Sequence, residues 1–154
     1  MIRLGTEKDI TRVNILRKQV NDLHVAGEPE IFKPGFCKEM QDYLNEFVNN
    51  NQKLLLIYEE DGEIYGYAML EEIIKPETPY RYELHYLEVG ELCVDESKKG
   101  KGYGKLLMQE VKQIAKQKGI GRIELNVWTF NEDAVKFYEK LGFETYRKHL
   151  RIDV

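Results

Sequence analysis

The chemistry-bearing stretch of this sequence runs from Glu91 to Leu107, Glu-Leu-Cys-Val-Asp-Glu-Ser-Lys-Lys-Gly-Lys-Gly-Tyr-Gly-Lys-Leu-Leu. A short apolar strand ends at Val94 and a polar turn follows. Gly100, Gly102 and Gly104, interleaved with Lys99, Lys101, Tyr103 and Lys105, then lead into an amphipathic helix. Glycine lets a backbone approach a bulky ligand, and the free N–H groups of a first helical turn carry roughly half a positive charge. Together these features make an anion site, with phosphate as its natural ligand. A surface turn carrying solvated lysines is the competing reading of the same residues.

Two phosphate-binding patterns fail by spacing. A dinucleotide fingerprint counted from Gly100 needs a glycine at the position of Lys105, and a nucleotide-hydrolase phosphate loop needs Ser or Thr where Leu106 follows Gly104-Lys105. What remains, Lys99-Gly100-Lys101-Gly102-Tyr103-Gly104, resembles the pyrophosphate loop of the GNAT superfamily of acetyl-CoA-dependent N-acetyltransferases, with Lys99 standing where that family has Arg or Gln. A second block resembles the family's later motif: a strand ending Asn126-Val127-Trp128-Thr129, Asn131 at a helix start, Ala134 three residues on, Phe137-Tyr138, then Gly142-Phe143. The order and interval of the two blocks match, and the likeness spans roughly the last hundred residues.

The elements that must position these residues are legible in periodicity and punctuation. Residues 2–5 form a short strand, and Thr6 with Asp9 opens a helix with Ile10, Val13, Val20 and Leu23 on one face. Phe36, Met40, Tyr43, Leu44, Phe47 and Val48 repeat as a second amphipathic helix. Leu54–Glu60 and Ile64–Ile74 read as a hairpin about Asp61-Gly62, with Gly66 marking a bulge. A long strand carrying Tyr82, Leu84 and Tyr86 continues to Val94, bent or bulged at Gly90. Leu107, Val111, Ile114 and Ala115 mark the inward face of a helix ended by Gly119. Arg122–Thr129 is a strand, Asn131 caps a helix burying Ala134, Phe137, Tyr138 and Leu141, and Phe143 onward is strand again. The fold class is mixed α/β in one domain over residues 1–154. By the resemblance, it is a six- or seven-stranded mixed sheet flanked by about four helices and splayed between its fourth and fifth strands.

The resemblance also implies how the site works. Acetyl-CoA is the co-substrate, its pantetheine arm pairing with backbone near Leu92, Cys93 and Val94. Its pyrophosphate rests on the amides from Gly100 through Lys101, Gly102, Tyr103 and Gly104 to Lys105, its thioester points past Asn131 and Tyr138, and Lys99, Asn126 and Ala134 complete the implied coenzyme contacts. Tyr138 takes the general-acid position beside the coenzyme sulfur. Family members place a base on the fourth or fifth strand. The fifth-strand position is Asn126, which cannot act as a base near neutrality, so the duty passes to Glu91, acting through water, or to Glu88. Such a base matters most for a lysine-like amine, whose deprotonation at pH 7 costs about 4.6 kcal/mol against about 1.4 for an α-amine. Tyr138 as a packed aromatic, Asn131 as an ordinary cap, and the glutamates as a solvated sheet face are the structural alternatives.

Composition sets the remaining bounds. The chain has 154 residues, is 42% hydrophobic and carries a net charge of −4, which argues against a general nucleic-acid binder. The two cysteines, Cys37 and Cys93, and the scattered His24, His85 and His149 lack metal-type spacing, so no metal is expected. No stretch approaches the roughly 20 apolar residues that span a bilayer, and no signal peptide is evident, so a cytoplasmic protein without membrane contact is expected. Few residues follow Gly142, so a seventh strand is short, absent or supplied by a second copy, and an open sheet edge is a possible homodimer contact. The expected activity is acetyl transfer to a primary amine of a small molecule or peptide in a ternary complex. The alternative is a non-catalytic acetyl-CoA-binding or interaction module.

Overall fold

The computed structural model describes all residues from Met1 to Val154. Its single sheet has the order β1 (Ile2–Leu4), β2 (Lys53–Glu60), β3 (Glu63–Lys75), β4 (Leu84–Val94) and β5 (Ile123–Leu125). The first four strands pair antiparallel, and only β4 and β5 run parallel. One face is covered by α1 (Ile10–Gly27) and the short α2 (Lys38–Asp42), the other by α3 (Tyr103–Gln117) and α4 (Glu132–Lys140).

Alternation along the strands sorts the core into two sides. On β2, Leu55 and Ile57 face α1 while Leu56 and Tyr58 face α3. Two bulges reset this alternation. On β3, Tyr65 beside Gly66 is the extra residue between the pairs Tyr58–Gly66 and Glu59–Ile64, so Ile64 and Tyr67 both point at α1. On β4, Gly90 is skipped between the pairs Leu70–Val89 and Met69–Glu91. Leu87 and Val89 pack toward α3, and without the extra residue Glu91 would follow them into apolar surroundings. The bulge turns Glu91 and Cys93 to the α1 side.

The glycine-marked bulges and the Asp61-Gly62 turn agree with the sequence, as does the inward face of α3, which also buries Met108. Several expectations are corrected. The sheet has five strands rather than six or seven: β5 covers only Ile123–Leu125, and no strand forms beyond Phe143. The segment 144–154 forms no strand and is held by side chains, Tyr146 Oη donating to Glu124 Oε2 at 2.9 Å and Arg151 Nη2 to Glu28 at 3.0 Å. The second helix stops at Asp42 and tightens into a 3₁₀ turn over Tyr43–Phe47, where Asn45 Nδ2 donates to the Asp42 carbonyl at 2.9 Å and competes with the helical ladder. Leu23 lies on the exposed side of α1, and Tyr82 precedes β4 and is exposed.

Candidate active site

The parallel pairing of β4 with β5 extends only from Leu87–Ile123 to Val89–Leu125. Beyond it, the Gly90 bulge carries β4 one way while the chain after Leu125 leaves the sheet, so Glu91–Val94 present their β5 side to an opening. The ends of both strands lead to this opening, where ligands of open α/β sheets sit.

At its rim, Asp95 starts a turn by accepting from Ser97 N at 2.9 Å and is tied to α1 by Arg12 at 2.5 Å. Gly100 and Gly102 have φ of +79° and +85°, which side chains resist. They leave the amides of Gly100, Lys101, Gly102, Tyr103, Gly104 and Lys105 without any acceptor in the protein; the first α3 bond is Leu106 N to Gly102 O at 3.1 Å. A Cβ on Gly104 would meet the Phe137 ring at 3.2 Å, so this glycine lets α3 approach α4. The Tyr103 ring is buried, stacks on Tyr58 at 4.1 Å and donates to Glu60 Oε2 at 2.6 Å, so only its amide faces outward chemistry. Lys99 pairs with Glu96 at 2.6 Å.

On the α1 side of the opening, Glu91 Oε1 accepts from the buried Tyr67 hydroxyl and from Arg17 Nε at 3.3 Å, while Oε2 has no protein donor. Arg17 is itself buried, with Nη1 donating to Asn14 Oδ1 at 3.1 Å and to the Met40 carbonyl. Burial first, then the Glu91 charge, holds the Tyr67 hydroxyl far above its ordinary range, so it remains a donor. Glu88, which the bulge leaves on the same face as Glu91, accepts from Asn126 Nδ2 at 3.5 Å. Cys93 is buried and its thiol is pushed up to about 12, chiefly by desolvation and then by Glu91, which removes it as a nucleophile near neutrality. Leu92 and Val94 are half-buried toward α3.

On the opposite side, Asn131 Oδ1 caps α4 by accepting Ala134 N–H at 3.2 Å. Phe137, Tyr138 and Phe143 pack edge to face, at 5.1 Å and 5.6 Å. The Tyr138 hydroxyl makes no hydrogen bond in the protein yet is not sealed from solvent. Desolvation, with a smaller effect from Cys93, raises it to about 12. It is therefore a protonated, uncommitted donor on α4.

The sequence profile described as the Acetyltransferase (GNAT) family matches residues 18–143. The chain belongs to this family. Among curated relatives, the glucosamine 6-phosphate N-acetyltransferase of Trypanosoma brucei brucei is 32% identical over 98 residues, covering 63% of this chain and 62% of that enzyme. The chain thus spans about three-fifths of that relative's length. Among solved structures, a tetramutant of the BH1408 protein of Bacillus halodurans is similar at a TM-score of 0.95 and 26% identity, covering 100% of this chain and 99% of that one. The aminoglycoside N-acetyltransferase AAC(6')-Iy, solved with CoA, shares the fold at a TM-score of 0.79 and 18% identity, covering 100% and 93%.

In this GNAT chain Glu88 and Asn126 meet where the β4–β5 pairing ends, Glu91 follows the Gly90 bulge, Asn131 caps α4, Tyr138 lies on α4, and the amides of 100–105 follow the end of β4. Sequence reasoning missed Arg17 and Tyr67, the two groups that hold Glu91. A detectable signal existed: Arg17 lies on the apolar stripe of α1 between Val13 and Val20, where a cation must find a partner. It also missed a cluster of rings. His24 stacks on Phe32 at 4.9 Å, Phe32 meets Trp128 edge-on at 5.2 Å, and Phe130 lies 6.1 Å from both His24 and Trp128. No local pattern announces this cluster, because its members come from separate elements.

Proposed function

We propose that the protein transfers the acetyl group of acetyl-CoA to a primary amine by direct attack in a ternary complex. The observation that carries this reading is the short β4–β5 pairing together with two sets of free donors: the unpaired amides of 100–105 after β4 and the uncommitted Tyr138 hydroxyl on α4, which packs on the same side of the sheet as Leu87 and Val89. The amides suit a diphosphate, and the unpaired side of Glu91–Val94 suits the amide-bearing pantetheine arm. The naming of its relatives as N-acetyltransferases supports the same chemistry.

In the reaction, the neutral amine attacks the thioester carbonyl and a C–N bond forms. Collapse of the tetrahedral intermediate breaks the C–S bond, and the electron pair leaves on sulfur. Tyr138 donates its proton to that sulfur and recovers one from solvent. The nitrogen gives up its proton through water to Glu91 Oε2, the oxygen that Tyr67 and Arg17 leave free. The Glu91 carboxylate both attracts an ammonium group and can accept its proton. Glu88 assists from the same face. Cys93 carries no acyl group, because it is buried and protonated.

The outer edge of β5 has no strand partner, and the residues after Phe143 alternate apolar and polar at Tyr146, Leu150, Ile152 and Val154, all exposed. A homodimer formed along this edge belongs to the same proposal, to be read from light scattering. Free-thiol release from acetyl-CoA across an amine panel tests the activity. Coenzyme binding without thiol release for any amine would instead favour a binding module.

A further inference from the structure

We infer that the acceptor is an arylalkyl primary amine, its ring lying on the His24, Phe32, Trp128 and Phe130 cluster and its nitrogen at Glu91. This inference rests on the acetyl-transfer reading and adds the substrate class. The four rings come from three places in the chain, the end of α1, the loop after it and the segment after β5, so the cluster joins the two sides of the opening. A Cβ on Gly27 would meet the Phe130 ring at 2.4 Å, which shows how closely α1 is brought against the far side. Trp128 remains 37% exposed, so the cluster keeps an aromatic surface in water rather than sealing itself. Burial holds His24 below its ordinary value, so the ring wall is uncharged near neutrality, and His24 lies two turns beyond Arg17 on the same face of α1, the face that meets Glu91.

Charge selects among amines. Every cation on α1 is already committed: Arg12 to Asp95, Arg17 to Glu91 and Lys18 to Asp22. Arg151, which reaches the end of α1 from the tail, is paired with Glu28. In the loop after α1 the lone lysine, Lys33, is exposed. The wall therefore offers flat apolar faces and an anion, and the one lysine of its loop, Lys33, is exposed beside Phe32 and makes no ion pair. A monocationic amine with an aromatic body matches both features, since offset and edge contacts between rings add to area burial. A sugar phosphate would lay a polar ring on the apolar faces and leave only the exposed Lys33 to meet its anion.

Trp128 is the sole tryptophan, so its fluorescence reports binding without turnover. The expected result is a saturable change in Trp128 emission on adding 2-phenylethylamine, at a concentration about tenfold below that needed for n-butylamine, with no saturable change from glucosamine 6-phosphate. Phe32→Leu should shrink the aryl-over-alkyl preference about tenfold in binding and, with acetyl-CoA present, in kcat/KM. Equal response to both amines, a stronger response to glucosamine 6-phosphate, or an unchanged preference in Phe32→Leu overturns the inference. Aryl-selective binding without thiol release sinks the acetyl-transfer reading alone. Thiol release without aryl preference sinks the substrate class alone.

Discussion

Arg17 Nε lies 3.3 Å from Glu91 Oε1, joining a buried guanidinium on α1 to a carboxylate that the Gly90 bulge has turned toward it. The pair locks the acceptor side of the site to the sheet. Removing one member strands the other: Arg17→Met should cost about 3 kcal/mol of stability, because Glu91 loses its countercharge and the Met40 carbonyl and Asn14 lose a donor. Urea denaturation measures this, and a loss within about 0.5 kcal/mol, as for an ordinary surface site, would show that the pair is not structural.

Tyr138 offers a hydroxyl with no protein partner, held at about 12 by burial. Tyr138→Phe should lower kcat about a hundredfold while acetyl-CoA affinity changes less than about threefold, because the ring packing on Phe137 and Phe143 survives. Steady-state kinetics with calorimetry of coenzyme binding separates the two. Equal loss of both assigns the hydroxyl to binding.

Glu91→Gln keeps the shape of the side chain but removes its charge. For a high-pKa amine the rate at pH 7 should fall about tenfold or more, and the rise of kcat/KM with pH should move toward the pKa of the free amine. An unchanged pH profile transfers the role to Glu88 or to solvent.

Asp9 supplies a separate, purely structural test. Arg3 Nη1 and Nη2 reach its two oxygens at 2.8 and 2.9 Å, and this pair, more than the Thr6 amide, lowers its pKa from 3.8 to about 2. A carboxylate depressed in the folded state contributes its stability above the unfolded pKa and loses it as pH falls through the folded one. About 2 kcal/mol should therefore disappear between about pH 4 and pH 2, and Asp9→Asn should abolish that part of the acid dependence. Chemical denaturation as a function of pH reads it.

Much of this architecture was legible because glycine carries positional meaning. Gly90 among strand formers announced a bulge, and Gly66 did so within one residue. The spacing of Gly100, Gly102 and Gly104 announced the free amides. What depended on distant partners was not legible. The stretch Arg122–Thr129 reads as a full strand, yet a strand needs a neighbour, and β4 departs at Gly90. Residues after Phe143 alternate like a strand but find no backbone partner. The Tyr67–Glu91–Arg17 chain joins β3, β4 and α1, and the ring cluster joins α1 to the segment after β5; only folding brings either together.

Amide NMR of the labelled protein titrated with CoA shows directly whether the unpaired amides of 100–105 and the free side of β4 receive the coenzyme. The largest shifts are expected at Gly100 to Lys105, accompanied by Leu92 and Val94. Saturable binding that leaves those amides unmoved while others shift would contradict that placement.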